Sequence, residues 1–161
     1  MEVPDLDPRI GNNFFDANFR LTGGAGDAAV KEILRLHDEG AFTLDVPHSV
    51  KSEIGHGHTP PGVKREAEDK IYTIPVPLTG PEQMRLDKVR ALIRGNARPG
   101  QHDKDAFHLF ESAKYGGRHF ITNDKRLLKK AGEVWALLQI RVLKPSDFLK
   151  AYISHTKKRP L

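Results

Sequence analysis

Cysteine is missing from all 161 residues. Disulfides, thiolate zinc sites and cysteine nucleophiles are thereby excluded, and the absence suits a reducing compartment. No apolar run nears the roughly 18 residues that a membrane span requires. The opening M-E-V-P-D-L-D-P is acidic and lacks the apolar core of a signal peptide, so a cytoplasmic protein off the membrane is expected. The Gly-rich T-G-G-A-G at residues 22–26 lacks the G-K-[ST] of a phosphate-cradling loop and reads as a turn. No internal repeat and no linker divides the chain. One domain is expected over residues 1–154, followed by a disordered basic tail at 155–161, H-T-K-K-R-P-L.

What is present is an ordinary globular composition, 38% hydrophobic and 29% charged, long enough to bury a core. The net charge of +5 is uneven. Residues 125–161 carry 10 Lys/Arg against 2 Asp/Glu, while residues 1–124 carry 16 against 19. A basic end beside an acidic remainder suits a polyanionic partner, although a solvated basic face has the same composition.

Apolar spacing orders the elements. N-F-F-D-A-N at residues 13–18 fits a short buried strand ending at Asp16. Asp27 caps a helix over 28–39, with Val30, Ile33, Leu34 and His37 inward. A second strand is predicted over 41–46, then a short helix from Pro47 that carries Glu53. His56 and His58 fall in the loop G-H-G-H-T-P-P-G and read as exposed. Residues 71–78 contain Pro75 and Pro77, which restrict them to an edge strand or to none. A helix over 81–96 places Met84, Val89, Leu92 and Ile93 inward, and its arginines outward. D-A-F-H-L-F-E-S-A-K then reads as a helix with Ala106, Leu109, Phe110 and Ala113 on one face and Asp105, His108 and Ser112 beside it. Glu111 is expected on its surface. Gly116 and Gly117 stop that helix. A buried strand follows over 119–122, and Asp124 sits at its carboxyl end. Beyond lie a basic helix over 125–131, a last strand within 135–143, and a final helix over 147–153. Strands alternating with helices predict an α/β fold with a parallel sheet.

Parallel strands put their carboxyl ends on one edge, where ligands of open α/β sheets sit. Asp16, Glu53, Asp105 and Asp124 are all assigned to that edge. Asp103 competes with Asp105 for the third place. Clustered carboxylates repel one another unless a cation neutralises them. An oxygen-only set suits hard cations such as Mg²⁺ or Mn²⁺. A metal–acid cleft in a basic protein describes a phosphodiesterase, because two cations about 4 Å apart activate water and stabilise the leaving oxygen.

D-A-N after an apolar strand, S-V-K-S-E, D-A-F-H-L-F-E-S-A and F-I-T-N-D occur in that order. The arrangement resembles the PIN-domain ribonucleases, whose largest group is the toxins of toxin–antitoxin pairs, over about residues 10–150. The resemblance implies a three-layer α/β/α sandwich with a central parallel sheet. It implies catalytic acids Asp16, Glu53, Asp105 and Asp124, with Asp16, Asp105 and Asp124 holding Mg²⁺ or Mn²⁺. Asn18, Thr122 and Asn123 would orient those ligands, and Lys125 and Arg126 would hold the RNA backbone. The implied activity is metal-dependent hydrolysis of single-stranded RNA by a toxin, often a homodimer, kept inactive by a small antitoxin protein. Two alternatives stay open: a PIN-like module that binds RNA or protein without turnover, and a nuclease directed at DNA.

Overall fold

The structure is a computed structural model that describes residues 3–16, 28–45, 78–98 and 102–158. Its elements are β1 (Asn12–Phe15), α1 (Ala28–Asp38), α2 (Gly80–Arg94), α3 (Asp103–Lys114), β2 (Gly117–Ile121), α4 (Lys125–Lys129), α5 (Ala131–Leu138), β3 (Arg141–Leu143) and α6 (Pro145–Lys158). No helix among the described residues is long and apolar enough to cross a membrane.

The strands form one parallel sheet in the order β1-β2-β3. Phe15 faces Ile121 in the register, and Ile121 faces Leu143. On the far side of β1, Asp45 forms a parallel bridge with Phe14. Asp45 N donates to Asn13 O at 2.8 Å and Phe15 N donates to Asp45 O at 3.0 Å. The strand expected over 41–46 is thus reduced, among the described residues, to this one bridge.

Strand side chains alternate between two cores, as the period of two requires. Phe15, Ile121 and Leu143 join Val30 and Ile33 of α1 and Phe148 of α6. Phe14, Phe120 and Val142 join Val89 and Ile93 of α2, Ala106 and Leu109 of α3, Leu127 of α4 and Val134 of α5. Phe14, Phe15, Phe120 and Phe148 are all fully buried, each worth ~1.5–3 kcal/mol of transfer free energy. The helices therefore divide between the two faces of the sheet, leaving its carboxyl edge for other side chains.

Local chemistry explains where the helices start and stop. Thr79 Oγ1 accepts from Glu82 N at 3.3 Å, and Glu82 Oε1 accepts from Thr79 N at 3.0 Å. This capping box starts α2, and Glu82 also makes an ion pair with Lys114 at 3.0 Å that binds α2 to α3. The backbone N–H of Thr79, with Lys114, holds the Glu82 carboxyl down at about 2. Gly116 takes φ +83° and turns the chain out of α3. Gly117 already belongs to β2, where a Cβ would lie 2.6 Å from Ser112 O and 2.9 Å from the Phe14 ring.

Several expectations shift. Met84 is 65% exposed rather than inward; Leu86, Val89 and Ile93, three and four apart, make the buried face of α2. Glu111 is buried at 7% exposure rather than on the surface, because α3 is covered on most of its sides from Ala106 to Ser112. The last strand does fall within 135–143, but only as β3 at its end: α5 holds W-A-L-L, and Gln139 at φ +55° ends that helix before the strand. The final helix continues to Lys158, so residues 155–158 are ordered where a loose tail is expected. Within this turn His155 meets the start of the chain: its Nε2 lies 3.4 Å from Asp5 and its carbonyl accepts from Arg9 Nη2 at 3.2 Å. The readings at Asp27, the Gly-rich turn, the helix carrying Glu53, the His56–His58 loop and residues 71–77 lie outside the described residues.

Candidate functional site

The sheet's hydrogen bonding runs one residue past its strands. Asp16 N donates to Ile121 O and Thr122 N donates to Leu143 O, each at 3.0 Å. Asp16 and Thr122 are thereby set side by side at the carboxyl ends of β1 and β2. Both are buried, at 3% and 1% exposure. A carboxyl out of water needs compensating donors, and Thr122 Oγ1 donates to Asp16 Oδ2 at 3.0 Å. The same hydroxyl accepts from Asp124 N at 3.0 Å. One threonine therefore ties the strand-end acid of β1 to the turn that carries the acid after β2.

Asp124 is the N-cap of α4. Its Oδ1 accepts from Arg126 N at 2.9 Å and from Leu127 N at 3.4 Å, which satisfies donors at the helix start. Oδ2 is left facing the Arg126 guanidinium at 3.7 Å. Asp105 sits in the first turn of α3, where an acid complements the helix dipole. Its Oδ2 accepts from Arg126 Nη2 at 2.6 Å and lies 4.0 Å from His102 Nδ1. Arg126 Nη1 donates to Ile93 O, in the last turn of α2, at 3.2 Å. Between Asp103 and Asp105, Asp105 is the acid that Arg126 reaches.

Asp16, Asp105 and Asp124 are thus connected, through Thr122 on one side and Arg126 on the other. Asn123 and Lys125 are exposed on the same turn. Asn18 and Glu53 lie outside the described residues. Arg126, assigned from sequence to an RNA backbone, pairs with Asp105 and Asp124. Among the described residues no group of three or more His, Cys, Asp or Glu is gathered closely enough to hold a metal ion. The donors themselves suit a hard cation, being carboxylates without thiolate or imidazole. The guanidinium between Asp105 and Asp124 is a cation already drawn to that charge.

His108 is buried on α3, and burial lowers its pKa to about 4, so it is neutral at pH 7. Ser112 Oγ donates to the His108 carbonyl at 2.7 Å, a bond internal to the helix.

Two residues escaped the sequence reading. Lys144 follows β3 on the same edge and is exposed; its signal is a cation directly after a strand, legible only once β3 is placed. Asp45 sits beside β1, and burial raises its pKa to about 6, with His37 pulling the other way. A perturbed carboxyl beside a strand-end cluster marks a site candidate, and the only sequence cue is its place in L-D-V after an apolar run. Comparison of the chain with protein-family models, with curated proteins and with solved structures finds no match.

Proposed function

We propose that this chain is a PIN-type nuclease, a Mg²⁺- or Mn²⁺-dependent hydrolase of single-stranded RNA. Its sheet and two helix groups are read as the three-layer α/β/α sandwich of that family. One observation carries the reading: Asp16 and Asp124, at the carboxyl ends of neighbouring parallel strands, are coupled through Thr122, and Asp105 is joined to Asp124 through Arg126. Carboxylates remote in sequence gather at the edge where such sheets bind ligands. In this reading Asp16, Asp105 and Asp124 hold the cation and Glu53 completes the acidic set. A bound divalent cation supplies an activated water and neutralises phosphate charge. Thr122 fixes the Asp16 carboxyl by its hydroxyl, Asn18 and Asn123 are assigned to orienting the ligands, and Lys125 offers charge to the backbone of the RNA. The toxin role, the small antitoxin partner, the homodimer and the cytoplasmic location belong to the same proposal.

The test is incubation of the purified protein with Mg²⁺ or Mn²⁺ and labelled single-stranded RNA, single-stranded DNA and duplex DNA. Cleavage of RNA alone is expected, abolished by EDTA. Asp16→Asn should lose cleavage by at least ~100-fold while its metal-free melting temperature stays equal or rises, because an amide oxygen still accepts from Thr122 without a buried charge. Full activity in that variant would sink the assignment. A second reading, a PIN-like binding module without turnover, draws on the cap at Asp124 and the ion pair at Asp105, which give both acids a structural occupation. It predicts RNA retention with no cleavage under either metal. Cleavage of DNA instead marks the DNA-directed alternative.

A further inference from the structure

We propose that Arg126 is the internal counter-cation of the acid cluster, and that a divalent cation binds Asp105 and Asp124 only by displacing its guanidinium. The inference rests on the nuclease reading and assigns Arg126 a positioning role, in place of a standing contact with nucleic acid.

The geometry is specific. Arg126 Nη2 lies 2.6 Å from Asp105 Oδ2 and 3.7 Å from Asp124 Oδ2, so one nitrogen faces both carboxylates. The three side chains are 31%, 23% and 26% exposed, which is partial burial, where attraction exceeds that of a surface pair. A guanidinium keeps its charge at every relevant pH, so the pair persists until something competes for the oxygens. Divalent cations seek those same oxygens.

The side chain is also free to leave without unmaking the fold. The α4 cap uses the backbone N–H of Arg126, not its guanidinium. The remaining contact, Nη1 to Ile93 O at 3.2 Å, is at the end of α2, where water can replace it. Removing the guanidinium leaves Asp105 and Asp124 without the cation they share, which raises their demand for another. Arg126 thus sets how much metal the site requires, and in metal-free protein the two acids face the chain's own cation.

The experiment measures Mn²⁺ binding by calorimetry to the full chain, to Arg126→Gln and to Arg126→Lys. Arg126→Gln should bind Mn²⁺ about tenfold tighter, as expected for removal of one partly buried ionic competitor. Its melting temperature should fall without metal and gain more from saturating Mn²⁺ than that of the unchanged protein. Arg126→Lys, which keeps the charge, should stay near the unchanged protein. A second measurement needs no variant: in ¹⁵N spectra of the unchanged protein, the Arg126 Nε resonance should move on addition of diamagnetic Mg²⁺. Equal or weaker Mn²⁺ binding by Arg126→Gln, or an unmoved resonance at saturation, overturns the inference and leaves the nuclease reading standing. Failure of the unchanged protein and both variants to bind Mn²⁺ overturns the nuclease reading, and this inference with it.

Discussion

His119 is buried in β2 with its ring edge-on to Phe148 at 5.3 Å. Asn13 fixes its tautomer. The Asn13 amide nitrogen donates to Pro8 O and to Thr43 O, both at 2.9 Å, so its oxygen is left as acceptor. His119 Nδ1, 2.7 Å from that oxygen, must therefore carry the proton. Burial first, then Arg141 and Arg118, lowers the His119 pKa to about 4. Above pH 6.5 the ring is neutral folded or unfolded. Below it the unfolded chain takes up a proton that the native chain refuses, so stability falls as pH drops toward 4, by ~3 kcal/mol over the window. His108 acts with the same sign. Asp45 acts against them, because its pKa is raised to about 6 and its contribution is lost as pH rises from 3.8 toward 6. Comparing the protein with His119→Gln cancels the His108 and Asp45 contributions. The melting-temperature difference between the two, read by calorimetry, should change in the variant's favour from pH 7 to pH 4.5. Parallel curves contradict the assignment.

The junction of α3 with β2 is tightest at Gly117. A Cβ there meets a backbone oxygen, Ser112 O, at 2.6 Å, and Ile140 Cδ1 at 3.0 Å. Backbone yields less readily than a side-chain tip, so Gly117→Ala should cost ~1–3 kcal/mol. Denaturant unfolding should show a lower midpoint with an unchanged slope, whereas an unshifted midpoint would place α3 farther from β2. The two glycines were visible in the sequence as a helix stop, yet their separate duties, a left-handed turn at Gly116 and a close approach at Gly117, needed coordinates. Other elements divide in the same way. The buried faces of α1 and α3 follow from three- and four-residue spacing, and F-F followed by an acid marked β1 and its end. T-G-P-E at residues 79–82 carried the capping-box pattern, and reading it would have fixed the start of α2. The run W-A-L-L-Q-I-R-V-L was ambiguous by nature, since a continuous apolar stretch serves a buried helix and a buried strand equally. At the site, Asp16, Asp105 and Asp124 were legible because each stands at an element end. Their linkage was not, because Thr122 and Arg126 act by hydrogen bonds that spacing does not encode. Arg126 looks like one more cation in a basic helix until Asp105, 21 positions away, is brought against it.

Charge is distributed over the whole molecule in a way that gives the proposed RNA a direction of approach. Asp16 and Asp124 stand at the carboxyl edge of the sheet, with Asp105 joined to Asp124 through Arg126, and exposed Lys125 and Lys144 follow β2 and β3 on the same edge. Neither lysine makes an ion pair among the described residues, so both are available to phosphates. Cations that pair with phosphates release condensed counterions, and for single strands log K falls with log salt by about 0.7 per phosphate neutralised. In the cleavage-deficient Asp16→Asn background the RNA survives the titration. There, Lys125→Gln and Lys144→Gln should each flatten the salt dependence of oligonucleotide binding by about 0.7 and weaken binding without regard to base sequence. Arg126→Gln should flatten it by the same amount only with Mg²⁺ present, because without the metal the guanidinium is spent on Asp105 and Asp124. Fluorescence anisotropy from low to moderate salt, with and without Mg²⁺, reads all three. Slopes that stay the same in the lysine variants would move the RNA away from this edge.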